Sequence, residues 1–164
     1  MSILDFTSIR EILDYNLDIG EFYWKIKPNR NIVIGEKAGH LTKDGYIQIG
    51  YLGKLYQAHH LTWLYIHGKM PIIYLDHING TCSDNRIANL REATAAENMQ
   101  NIRKAPKNSS HGFLGTYFDK DKNLWRSKIR VNGVKKSLGY FKTPEEASTA
   151  YIAAKRQYHP FNTL

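Results

Sequence analysis

The sequence predicts an α+β chain of short helices and antiparallel hairpins. Three observations lead there. Residues 45–58 and 114–141 alternate apolar and polar side chains at the period of a strand, and each stretch carries a turn signal, Leu52-Gly53 in the first and Asn132-Gly133 in the second. Residues 58–67, residues 95–104 and the stretch opened by Thr143-Pro144 space their apolar residues for a helix instead. Charge is also divided: residues 1–104 hold 12 Lys+Arg against 11 Asp+Glu, and residues 105–164 hold 11 against 4. A near-neutral front and a basic back suit a catalytic or scaffold part joined to a part that binds a polyanion. A basic surface kept for solubility is the alternative.

Each element follows in order. Residues 2–17 read as an opening helix, capped by Ser2 or Thr7, with Ile9, Ile12, Leu13 and Leu17 at helical spacing. Gly20 breaks the pattern, and Phe22-Tyr23-Trp24 begins an aromatic strand. Segments 45–51 and 54–58 pair as a hairpin. Residues 58–67 put Leu61, Leu64 and Tyr65 on one stripe, and Gly68 ends that helix before Pro71. Trp24, Trp63 and Tyr65 are expected in the core. Residues 76–92 are rich in Asn, Asp and Gly, which predicts a loop with a short strand at either end. Thr94 caps a helix over 95–104, with Glu97 as its capping-box partner. Residues 104–112, KAPKNSSHG, have the composition of a linker. Three strands follow, at 114–118, 124–131 and 134–141. Thr143 then caps a last helix, which packs through Ala147, Ala150, Tyr151 and Ala154.

Several classes are excluded. No apolar run approaches the roughly 18–20 residues that span a bilayer. The start, MSILDFTSIREIL, lacks the basic, apolar and small-residue regions of a secretory signal. The single cysteine, Cys82, makes neither an intrachain disulfide framework nor a four-cysteine zinc site. A cytoplasmic chain is expected.

The polar loop carries the chemistry. A phosphodiester is slow to hydrolyse unless a base deprotonates water and a cation neutralises charge on the phosphate. His77 suits the base, since an imidazole titrates near neutrality. Its neighbour Asp76 would point to the other face of a strand. Asn98, on the following helix, can offer an amide oxygen. A carboxylate with an amide oxygen is a hard donor set, favouring Mg²⁺ or Mn²⁺ over zinc. Asp76, Asn79, Asn85 and Asn89 are equally good turn formers, and composition alone leaves both possibilities open.

The segment AHHLTWLYIHGKMPIIYLDHINGTCSDNRIANLREATAAENMQN resembles the HNH nuclease motif, in the form found in bacteriophage homing endonucleases. The order is aspartate-histidine, a loop with NG and DNR, then NLR, then an EN pair on a helix. The resemblance implies a ββα-metal finger around one divalent ion, with Asp76 a metal ligand and His77 the general base. It makes Asn89 the residue that fixes the loop and orients His77, and Asn98 the second metal ligand. His59, Asn85 and Arg86 are supporting positions: His59 for phosphate contact or structure, Asn85 and Arg86 for the shape of the loop. His60 replaces what is usually arginine in such sequences.

The basic strands point to a nucleic acid. In KNLWRSKIRVNG, Trp125, Ser127, Ile129 and Val131 share one face, and Arg126, Lys128 and Arg130 the other. Lys135 and Tyr117 extend the second face onto neighbouring strands. Such a sheet can lie in the major groove of DNA, and a plain solvated face is the alternative. The elements GTY, W.S.I, LGYF and T.EEA..AY..A of residues 111–162 are similar to the Apetala/ethylene-response-factor type of DNA-binding domain. That resemblance implies three antiparallel strands on one helix, with the sheet reading DNA. Tyr117, Lys128 and Ser137 stand where the plant domains carry an arginine- and tryptophan-rich face, so the target sequence does not carry over.

These expectations combine into a nuclease domain at 1–104 with its core at 58–104, a linker at 105–111 and an Apetala-like domain at 112–164. The expected protein is a monomer or homodimer that uses Mg²⁺ or Mn²⁺ to hydrolyse double-stranded DNA, is cytoplasmic (in the host cell if phage-encoded), and has no membrane partner. The alternative is a non-catalytic DNA-binding regulator with a degenerate finger.

Overall fold

The computed structural model describes residues 5–106, 109 and 111–164. The chain divides into two compact units, Met1–Thr94 and Ala95–Leu164. The first opens with α1 (Phe6–Ile12), capped by Asp5: its Oδ1 accepts from the Ser8 amide at 2.8 Å, while the Ser8 hydroxyl oxygen accepts from the Asp5 amide at 3.0 Å. The helix expected over 2–17 is therefore shorter. Thr7 lies inside it, and Ser2 falls outside the described residues. At Leu13 the chain extends into β1 (Leu13–Asn16), which pairs antiparallel with β2 (Glu21–Trp24). Leu13 and Tyr15 are buried while Asp14 and Asn16 are exposed, so the period of two prevails over the helical one here.

β3 (Lys37–Ala38) completes a sheet of order β1-β2-β3, and β4 (His40–Leu41), β5 (Ile47–Tyr51) and β6 (Lys54–Gln57) form a second, antiparallel one. α2 (Ala58–His67) follows directly and stops where Gly68 turns left-handed. Its buried residues Ala58, Leu61 and Leu64 join Ile9, Ile12, Leu13, Phe22, Trp24 and Ile49 in one apolar cluster. Trp24 lies in that core and Tyr65 packs partly buried against it, whereas Trp63 lies on His67 with ring centroids 4.2 Å apart. β7 (Tyr74–His77) and β8 (Leu90–Ala93) then pair antiparallel, Asp76 opposite Arg91 and His77 opposite Leu90. A single 3-10 turn, Ile87–Asn89, ends the loop between them.

The second unit starts with α3 (Ala95–Gln100), shorter than the expected 95–104. Its sheet has the order β11-β10-β9, from β9 (Thr116–Asp119), β10 (Leu124–Val131) and β11 (Val134–Phe141). Asn132 and Gly133 turn the last hairpin at φ 49° and 81°, the paired left-handed geometry that Asn-Gly adopts most easily. α4 (Pro144–Tyr158) is capped by Thr143, whose hydroxyl oxygen accepts from the Glu146 amide at 3.2 Å. It covers one sheet face, burying Ser127 and Ile129 of β10 with its own Ala147 and Ala154.

The residues after α3 are tied to the chain end. Arg103 Nη2 donates to the Thr163 carbonyl at 2.7 Å, and the Thr163 hydroxyl donates to Asn101 Oδ1 at 2.7 Å. Lys155 donates to the Ile102 carbonyl. The division therefore falls after Thr94, ahead of the expected linker at 105–111, in which Lys107, Asn108 and Ser110 lie outside the described residues.

Lys155 is 1% exposed, and burial, aided by the Arg103 charge, pushes its ammonium down to about 8 from the ordinary 10.5. Between those values the unfolded chain binds the proton and the folded chain releases it, so this group's contribution to stability rises with pH. Urea unfolding at about pH 7.5 and about 9.5 should show the parent gaining stability relative to Lys155→Met. Parallel behaviour of the two would contradict this.

Candidate active site and nucleic-acid interface

Asp76 and His77 end β7 and are each 5% exposed. Their side chains find different partners. Asp76 Oδ2 accepts from both Nε and Nη2 of its cross-strand neighbour Arg91, at 2.9 and 2.7 Å. His77 Nε2 lies 3.2 Å from Asn85 Oδ1. The direction of that bond follows from chemistry. Asn85 Nδ2 donates to the Ser83 carbonyl at 3.3 Å, and a carbonyl only accepts, so the amide oxygen faces the imidazole. His77 Nε2 then carries the hydrogen and Nδ1 the lone pair. Burial pulls the His77 pKa below the usual imidazole value, opposed in part by Asn85, Asp76 and Asp84, so the ring is neutral at neutral pH.

Other rings wall this histidine. His59 is 7% exposed, with ring centroids 5.1 Å from His77 and 5.5 Å from Tyr46. Among the described residues its Nδ1 has no hydrogen-bond partner. Burial, with His60 and His77 nearby, pushes its pKa down to about 3. His59 thus stands as a neutral ring beside His77. Burial lowers His60 as well. The Tyr46 hydroxyl is pushed up to about 12, first by its hydrogen bond with Cys82 and then by burial.

Asn89 ties the loop to itself. Its Oδ1 accepts from the Asn79 amide at 2.9 Å, and its Nδ2 donates to the Asp84 carbonyl at 2.8 Å. The Asp84 carboxylate accepts from Asn79 Nδ2 at 2.7 Å and from Arg86 Nε and Nη2 at 2.8 and 2.6 Å. Arg86 is the chief cause that draws this carboxyl down to about 2. In this arrangement Asn89 holds the loop while the contact on His77 comes from Asn85. Sequence reasoning left out Asp84 and Arg91. The signal for Arg91 was its position directly opposite Asp76 once the two strands pair. Asn98 is exposed on α3, in the second unit.

Among the described residues no group of three or more His, Cys, Asp or Glu side chains is arranged to enclose a metal ion. The donors of the motif are one carboxylate and an amide oxygen. That set fits an ion such as Mg²⁺, which keeps several waters and takes few protein ligands.

In the second unit, Arg126, Lys128 and Arg130 alternate with buried Ser127 and Ile129, so they lie on the sheet face away from α4. Pairing sets Arg126 between Tyr117 and Tyr140, Lys128 beside Ser137 and Arg130 beside Lys135, with a bulge between Ser127 and Lys128. Cations sit over the flanking rings: Lys128 Nζ is 4.7 Å from the Tyr117 centroid, and Lys122 Nζ is 4.0 Å from that of Tyr140. The face thus unites Arg126, Lys128, Arg130, Lys135 and Tyr117. It adds Tyr140, which the strand register alone could have revealed. Cations interleaved with aromatic rings are suited to phosphates and base edges.

Residues 56–100 match the family model of HNH endonucleases. The chain is 32% identical over 78 residues to "Protein 3.8" of Escherichia phage T7, covering 47% of this chain and 64% of that protein. It is 29% identical over 120 residues to the "Uncharacterized HNH endonuclease L560" of Acanthamoeba polyphaga mimivirus, covering 73% of this chain and 61% of the relative. It therefore spans under two thirds of the length of these relatives. A solved structure described as "DNA binding and cleavage by the HNH homing endonuclease I-HmuI" aligns with a TM-score of 0.46 and 23% identity, over 84% of this chain and 77% of the other. From Tyr56 to Gln100, the stretch that holds α2, the β7–β8 pair with its polar loop, and α3, this protein is matched to the HNH endonuclease family.

Proposed function

We propose that the protein is a metal-dependent, site-directed endonuclease of the homing type that hydrolyses phosphodiester bonds in double-stranded DNA. The observation that carries this reading is the neutral, buried His77, whose lone pair is turned to Nδ1 by Asn85, beside Asp76 in the segment that matches HNH endonucleases. Nδ1 of His77 takes a proton from the water that attacks phosphorus in line. The bond to the 3′-oxygen breaks and that oxygen takes a proton from solvent water, leaving a 5′-phosphate and a 3′-hydroxyl. Asp76 and Asn98 are the residues that would hold a divalent ion, Mg²⁺ or Mn²⁺, and such an ion would supply positive charge against the phosphate and the departing oxygen. Asn98 enters this assignment through motif order and donor chemistry alone. The exposed face of β9, β10 and β11 grips the duplex through Arg126, Lys128, Arg130, Lys135 and Tyr117. One finger per chain cuts one strand, so a monomer nicks and a homodimer cuts both.

One observation favours a second reading. The Asp76 carboxylate already carries the Arg91 guanidinium, as it would in a DNA-binding regulator whose finger takes no metal. Supercoiled plasmid incubated with Mg²⁺ separates the two. The parent should give nicked or linear DNA, and chelator should abolish it. His77→Ala should lower the rate by about 10²–10⁴-fold. Equal cutting by His77→Ala would remove the mechanism, and binding without any cutting would leave the regulator.

The sheet face is tested by salt. Replacing Arg126, Lys128 and Arg130 with alanine should weaken duplex binding. It should also reduce the slope of log affinity against log salt by about 0.9 for each phosphate that the face no longer neutralises. An unchanged slope would place the grip on DNA elsewhere in the protein.

A further inference from the structure

We infer that Tyr15 and Asn85 are positioning residues that fix the imidazole of His77, an inference that rests on reading His77 as the base. Tyr15 does not need its hydroxyl for packing, since its ring is held against Phe22 at 4.9 Å and Tyr65 at 5.7 Å between centroids. That hydroxyl nevertheless reaches a segment 70 residues further along the chain. It donates to the Asn85 carbonyl at 2.8 Å and accepts from the Ile87 amide at 3.1 Å. Its hydrogen and one of its lone pairs are thereby engaged by the backbone around Asn85.

The turn of the same hairpin presses on that backbone. Gly20, at φ +72°, follows β1, and a Cβ there would stand 2.3 Å from the Arg86 nitrogen and 2.6 Å from the Asn85 carbonyl carbon. Only glycine lets the two chains approach this closely. The hairpin of β1 and β2 thus holds residues 85–87 by a hydroxyl on one side and by backbone contact on the other.

With its backbone held, the Asn85 side chain has little freedom left. It is 2% exposed, with Nδ2 on the Ser83 carbonyl and Oδ1 on His77 Nε2. A neutral carboxamide whose donor end is already committed can only accept from the imidazole. If that bond loosened, a hydrogen could move to Nδ1, and the nitrogen meant to receive a proton would carry one instead. Asn89 bonds loop backbone at both ends of its amide, at Asn79 and at Asp84 beside Asn85.

The test uses the metal-free full chain labelled with ¹⁵N-histidine, with the His77 signals assigned by their loss in His77→Ala. In the parent, His77 should be the Nε2–H tautomer. Asn85→Leu should shift it toward a mixture, and the near-isosteric Tyr15→Phe should do so to a lesser degree. Single-turnover plasmid cleavage should fall with the tautomer shift, by up to about 10²-fold, while duplex affinity stays at the parental value. A parental Nδ1–H tautomer, or a tautomer unchanged in both variants, overturns the inference. Should Asn85→Leu fail to fold, Tyr15→Phe alone decides it. A parent that cuts no DNA defeats the nuclease reading, whereas the tautomer measured without metal or substrate judges this inference separately.

Discussion

An asparagine amide has one donating end and one accepting end, and the candidate site depends on that asymmetry. The polar loop between β7 and β8 carries amides and carbonyls that the strand ladder does not bond, and a buried one left unpaired costs about 1–3 kcal/mol. Asn89 meets two of them at once, an amide at Asn79 and a carbonyl at Asp84. Asn85 meets a third at Ser83, and that fixes which end of its amide remains for His77. The state of the imidazole is therefore a consequence of satisfying the loop backbone. A leucine in place of Asn85 would deprive the loop of a bond and the histidine of its preferred tautomer together.

Electrostatics follows from the same burial. His59 and His77 face each other at 5.1 Å, a distance at which two imidazolium ions would repel strongly. Desolvation is the largest cause that lowers both, and His77, with His60, lowers His59 further. Asp76 is placed differently. It is buried as an acid and draws Arg91 across the strand pair. The first unit thus keeps its charges matched locally, whereas the second carries its excess cations on an open sheet face over aromatic rings. This is the physical content of the uneven charge along the sequence.

What could be read in advance was what depends on near neighbours. The strands at 124–131 and 134–141 coincide with β10 and β11, because alternation and the Asn-Gly turn are local. Thr143 and Pro144 announced α4 for the same reason. The first helix is shorter than the sequence predicts because Leu13 and Leu17 fit a helical stripe while Tyr15 between them fits a strand, and Tyr15 pairs with Phe22. In the candidate site, motif order points to Asp76, His77 and Asn89. It does not point to the partner of His77, because a bond eight residues away inside a loop has no periodic signal. Tyr15 was further from reach still, being a hydroxyl in one hairpin serving a backbone 70 residues on.

The division of the chain after Thr94 has the same origin. Composition favours a break where Pro, Ser, Asn and Gly gather, as they do from residue 105 to residue 112. Compactness depends on which groups bond across the sequence. Residues 101–103 spend two side chains and a carbonyl on Thr163 and Lys155. Breaking that set would leave Lys155, 1% exposed, without its acceptor. The bonded segment therefore folds with the sheet and α4, and it takes along the helix just before it. The residue on that helix with the amide oxygen, Asn98, is accordingly built into the basic unit, while the imidazole and carboxylate are built into the near-neutral one.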